Sequence, residues 1–279
     1  MAHKTKGFGE LLEAAGQARG RLCVGIDPHP YLLEKWGLEP TADGLRTFSM
    51  RCVEAFSDTA ALVKPQVAFF ERFGSQGFAV LEDVLASLRE VGCLTVADAK
   101  RGDIGSTMAG YADAWLGNSS PLRADSVTVS PYLGVGALGP VFSKAEETSR
   151  GVFVLAATSN PEARAIQAVP VGEESTIAQG VVDECAALNV AAHKADKPGD
   201  IGVVVGATLD NPPRLDALNG PVLLPGVGAQ GAGPEQVHSI VSARPSLGFA
   251  NVSRAVLEQG PALADLRKAV NRVAQEFRD

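Results

Sequence analysis

The feature that most constrains this chain is a repeated change of period: short apolar runs alternate with longer stretches of helical spacing from one end to the other. The runs lie at 22–26, 62–67, 94–96, 126–129, 152–157, 201–205, 222–224 and 247–251. Helix-capable segments follow at 41–59, 77–91, 106–116, 137–149, 174–195, 212–218, 235–242 and 262–277, and one more, at 8–18, precedes the first run. Within the runs the apolar residues are continuous rather than alternating, the pattern of a parallel sheet covered on both faces. Eight such units predict an α/β protein of the (β/α)8 TIM-barrel type. The length of 279 residues fits one such domain with an N-terminal helix, and no Pro-, Gly- or Ser-rich linker divides the chain. A doubly wound open sheet is the alternative if one unit is miscounted.

Charge and composition remove several function classes. A formal net charge of −7 and a pI near 5.2 disfavour general nucleic-acid or anionic-membrane binding, because neither partner is drawn to an acidic surface. No run reaches the length of a membrane span, and the opening Met1-Ala2-His3-Lys4-Thr5-Lys6 does not lead into a secretory signal. Cys23, Cys52, Cys93 and Cys185 lack metal-ligand spacing and suggest no disulfide framework; a reducing, cytoplasmic setting is expected. No metal site is expected either: His3, His29, His193 and His238 show no ligand spacing, and only His29, after the first run, is placed to approach a ligand.

In a barrel of this kind the active site lies at the carboxyl ends of the strands, where polar residues interrupt the apolar runs. Here those residues are Asp27, Lys64, Asp98, Lys100, Thr158, Ser159 and, after the last run, Arg254. Asp98 and Lys100 are two apart, so persistent strand geometry sends both side chains to one side of the sheet. Asp103 or Ser106 is placed to cap the next helix. Taken alone, these residues equally suit a salt bridge and a helix cap, and both readings stand at this point. The glycine-rich stretch 225–233 and Arg254 occupy the usual phosphate position of such barrels: glycines let backbone amides approach an anion, and a guanidinium grips it with paired hydrogen bonds.

The segment Asp98-Ala99-Lys100-Arg101-Gly102-Asp103-Ile104-Gly105-Ser106-Thr107 resembles the signature of the orotidine 5′-monophosphate decarboxylases. The likeness runs on through Asp27, Lys64, Ser159, Pro225-Gly226-Val227-Gly228-Ala229-Gln230 and Arg254, in family order. Phe69-Phe70-Glu71-Arg72-Phe73-Gly74 and Ser159-Asn160-Pro161-Glu162-Ala163 are similar to the longer bacterial subgroup. The resemblance implies decarboxylation of a nucleotide in de novo pyrimidine synthesis, without a cofactor, in a homodimer with shared active sites. It implies that Lys64, Asp98, Lys100 and Asp103 form an alternating charged array, with Asp103 and Thr107 reaching into the partner's site. Asp27 and Lys64 are then expected on ribose hydroxyls, Ser159 on the pyrimidine edge, Gln230 bridging base and phosphate from a lid that includes Gly228, and Arg254 on the phosphate. The connections are longer than in compact members, so roles at strand ends transfer better than roles in loops. Mg²⁺-dependent sugar-phosphate decarboxylases or aldolases share D-x-K-x-x-D but resemble this chain less, since they carry an acidic residue where it has Lys64. A phosphate-ligand binder without catalysis is the alternative from another class.

Overall fold

The computed structural model describes residues 6–173, 175–228 and 231–278. Eight parallel strands form its main sheet: β1 (Leu22–Ile26), β2 (Leu62–Pro65), β3 (Val96–Arg101), β4 (Ser126–Val129), β5 (Gly151–Ala157), β6 (Ile201–Val205), β7 (Val222–Pro225) and β8 (Gly248–Val252). Each pairs with its neighbours in the chain, and β1 pairs with both β2 and β8. Between β2 and β3 the seam is joined by parallel bridges from Val63 to Thr95 and from Gln66 to Asp98. The result is a nearly closed (β/α)8 barrel, which sets aside the open sheet.

The strand interiors carry apolar side chains to two layers. One packs outward against the helices; the other fills the barrel with Cys23, Leu62, Val96, Phe153, Val204, Leu223 and Phe249. Phe8 and Leu12 of the helix Phe8–Arg19 join the inner layer and plug its amino-terminal mouth. Phe8 meets Phe153 edge-on at 5.9 Å. Gly151 leaves room for that ring, since a Cβ there would lie 2.1 Å from it. Asp200, just before β6, accepts a hydrogen bond from Gly9 N at 2.8 Å and ties the plug in place.

Most expected elements occur, with Thr41 capping Ala42–Phe56 by accepting from Gly44 N. The departures have local causes. The run 62–67 ends as a strand at Pro65, and Val67–Glu71 turns as a helix instead, because proline lacks the N–H that a continuing ladder needs. No helix forms at 212–218: Pro213 steers Pro212 away from helical dihedrals, and Gln179 Oε1 accepts from Arg214 N at 2.8 Å. The expected helix 174–195 is two, Ile177–Leu188 and Val190–Lys194, broken at buried Asn189, whose Nδ2 donates to Ile201 O and Leu218 O. Neither Asp103 nor Ser106 caps the helix Gly105–Leu116; Ile104 is its N-cap, and Asp103 Oδ1 accepts only from Ile104 N among the described residues.

Candidate active site

The carboxyl-terminal mouth opens into a cavity of about 470 Å³. Leu155, Val204 and Leu223 form its apolar floor, and Asp27, Lys64, Gln66, Asp98, Lys100 and Thr128 line one side. The far wall comes from Pro225, Gly226, Val227, Asn251, Ser253 and Arg254, at the ends of β7 and β8.

Asp98 is the hub. Its Oδ2 accepts from Lys64 Nζ and from Gln66 Nε2, each at 2.8 Å. Its Oδ1 accepts from Lys100 Nζ at 2.6 Å and from Thr128 Oγ1 at 2.9 Å. Asp27 Oδ1 lies 3.9 Å from Lys64 Nζ. Lys64 and Asp98 are only 3% and 7% exposed, so their charges survive burial because they are paired. Burial drives the Asp98 carboxyl up, but the Lys64 and Lys100 ammoniums outweigh it and hold the group well below the usual carboxylate range. Burial likewise drives Lys64 down; Asp98 and Asp27 outweigh it and hold its pKa above the ordinary lysine value. Both groups are therefore ionised at neutral pH.

Strand geometry does not persist to the end of β3. The register against β4 shifts between Ala97 and Arg101, and Lys100 adopts φ 50°, a left-handed conformation that L residues other than glycine seldom occupy. Lys100 N donates to Thr128 Oγ1 at 2.9 Å, so Thr128 holds the lysine backbone as well as the Asp98 carboxylate. The lysine thus reaches Asp98 through a kinked strand end.

Arg254 begins the short helix Arg254–Leu257 and forms no ion pair among the described residues, leaving its guanidinium free for an anionic ligand. Gly226 and Gly228, with φ 98° and 72°, turn the loop before it, and Gly228 N donates to Ala232 O at 2.9 Å. Asp27 Oδ1 and Asn251 Oδ1 are buried acceptors with no hydrogen-bond partner among the described residues, suited to ligand hydroxyls or amides. A family model for the orotidine 5′-phosphate decarboxylase / HUMPS family matches residues 20–269. The chain belongs to this family.

Curated relatives named orotidine 5′-phosphate decarboxylase include one from Corynebacterium efficiens, 61% identical over 98% of both chains, and one from Corynebacterium glutamicum, 58% identical over 97% of both. The crystal structure of such a decarboxylase from Streptomyces avermitilis is 47% identical, with a TM-score of 0.93 over 99% of this chain and 96% of that one. In this family member Lys64, Asp98 and Lys100 meet, with Asp27 beside them and Arg254 across the cavity, while Asp103 forms no ion pair with them among the described residues. Asp103 is half-buried and Thr107 exposed, both on the rim beyond β3. At β5 the cavity wall is formed by Thr158, while Ser159 packs beside Gly206. Gly228 is exposed in its loop, and Gln230 lies outside the described residues. His29 lines the cavity edge-on to Phe69 at 4.4 Å, and burial lowers its pKa.

Gln66 and Thr128, both at the site, belong to none of the motifs that mark it in the sequence. The signal for Gln66 is its spacing of two from Lys64; for Thr128 it is a hydroxyl in the otherwise apolar end of β4.

Proposed function

We infer that this chain is a carboxy-lyase that converts orotidine 5′-monophosphate to UMP in de novo pyrimidine synthesis, with Lys100 as the proton donor. The observation that carries the reading is the Asp98 carboxylate fixed between two ammonium groups, facing a cationic wall at Arg254 across one cavity. Loss of CO₂ breaks the bond from the ring carbon C6 and leaves its electron pair there, with no neighbouring carbonyl to accept it. The Lys100 ammonium stabilises that pair and then transfers its proton to C6; CO₂ leaves, and the lysine regains a proton from solvent. Asp98, close to the departing carboxylate, adds a repulsion that ends with the bond. For unit charges at about 4 Å and an effective dielectric near 20 this is roughly 4 kcal/mol. We rank it below the lysine's contribution.

The remaining roles follow the same layout. Arg254 and the loop containing Gly228 and Gln230 hold the phosphate, and closing over it excludes water. Asp27 and Lys64 hold ribose hydroxyls, and Ser159 meets the pyrimidine edge. Two copies of the chain pair so that Asp103 and Thr107 enter each other's sites; the exposed Ile104, Tyr132 and Leu133 on the same rim give that pairing an apolar surface. No cofactor is required by this chemistry, and the four unpaired, buried thiols suit a cytoplasmic enzyme. The magnesium-dependent relatives carry an acidic residue near the end of the second strand, where this chain places the Lys64 ammonium against Asp98 and Asp27.

The direct test is the ultraviolet absorbance of orotidine 5′-monophosphate mixed with the purified protein. Conversion to UMP that survives EDTA is expected. Binding of the nucleotide without conversion would leave a phosphate-ligand binder, and loss of activity in EDTA would favour the metal-dependent relatives. Mixed Asp103 and Asp27 variants should regain activity through hybrid dimers, and no recovery after subunit exchange would contradict the shared site.

A further inference from the structure

Lys100 occupies a left-handed backbone conformation, φ 50°, that is costly for a residue with a Cβ and persists only where surrounding contacts over-determine it. The contacts are specific. In the peptide group joining Ala99 to Lys100, the Lys100 N–H donates to Thr128 Oγ1 at 2.9 Å and the Ala99 carbonyl accepts from Arg101 Nη1 at 2.9 Å. On the far side of the lysine, the Arg101 carbonyl accepts from Ser130 N at 2.7 Å. Both sides of Lys100 are thereby held, and one of the clamps is the side chain of its own neighbour.

Arg101 can reach back in this way because its other end is anchored. Its second amino group forms an ion pair with Glu71, and its guanidinium lies over the rings of Tyr111 and Trp115, 5.7 and 5.8 Å from their centres. Glu71 closes the short helix Val67–Glu71, and the residue before that helix is Gln66, the donor to Asp98 Oδ2. One six-residue segment therefore grips the carboxylate at its start and, through Arg101, the lysine backbone at its end.

We propose that Arg101 and Glu71 are a positioning pair that keeps Lys100 seated against Asp98, in the geometry from which it transfers its proton to the ring carbon. The proposal rests on the reading of Lys100 as the proton donor. Neither residue touches the reacting atoms; each acts through the geometry of the lysine.

The test compares steady-state kinetics, UMP affinity and thermal midpoint for R101A, R101K, E71Q and K100A. R101A should lower kcat by about 100-fold, the scale of a small misplacement at the reacting centre, with KM and UMP affinity near wild type. R101K should recover little, because an ammonium reaches one acceptor where the guanidinium fork reaches two. E71Q keeps an oxygen for Arg101 but not the charge, and should lower kcat by about tenfold. A kcat within about twofold of wild type in R101A overturns the proposal, as does a parallel loss of kcat and UMP affinity. If R101A fails to fold, E71Q decides, and an unchanged kcat in that variant overturns it. Undiminished turnover in K100A would instead remove Lys100 as proton donor, a failure distinct from inert Arg101 and Glu71 variants beside a dead K100A.

Discussion

The two mouths of the barrel are built from the same eight strands and do opposite things. At the amino-terminal mouth Phe8 and Leu12 close an apolar layer in which Phe153 and Phe249 are fully buried. At the carboxyl-terminal mouth Lys64 and Asp98 are almost as deeply buried, yet both are charged. The first arrangement stabilises the fold by burial. The second contributes little net stability, because removing paired charges from water offsets most of their attraction. It also holds a strained lysine backbone. The comparison teaches that one set of strands divides its labour, with apolar burial at one mouth holding the fold and paired charges at the other serving the site.

That division can be broken from either side. Phe8→Ala should cost about 3–5 kcal/mol in chemical denaturation while leaving kcat and KM of the folded enzyme unchanged; a changed kcat would show that the plug also shapes the site. Arg254→Ala should do the reverse, raising KM for the phosphorylated substrate by about 10- to 100-fold, the loss expected for hydrogen bonds to a charged group, with an unaltered unfolding midpoint. Unchanged kinetics would remove Arg254 from the phosphate site. The smallest effect concerns pH. Asp98 is held below its ordinary 3.8, so its contribution is present above that value and fades as acid brings the folded carboxyl towards protonation; Lys64 is held above 10.5, so its contribution is present below that value and is lost as the pH rises through its folded pKa. Unfolding free energies should form a plateau across neutral pH and decline below about pH 4. Stability that rises in acid would contradict the paired state of Asp98.

The barrel was legible in the sequence, because the runs at 126–129 and 201–205 coincide with β4 and β6 residue for residue, although Ser126 and Thr128 interrupt the first. It failed where long-range contacts override local pattern. The helical spacing of 174–195 does not reveal that Asn189 turns inward to bond Ile201 and Leu218. Strand periodicity placed Asp98 and Lys100 on one side, and they do meet, but the kink that brings the lysine there depends on Thr128 and Ser130, about thirty residues along the chain. Gln66 escaped for a similar reason: its bond to Asp98 forms only because the seam between β2 and β3 closes.

The claim at the centre of this account is that the Lys100 ammonium takes the electron pair left by CO₂ and protonates the carbon. Lys100→Ala assayed for UMP formation, with UMP binding measured on the same preparation, tests it most directly. The account predicts that binding persists and turnover is abolished; turnover near that of the unaltered enzyme would contradict it.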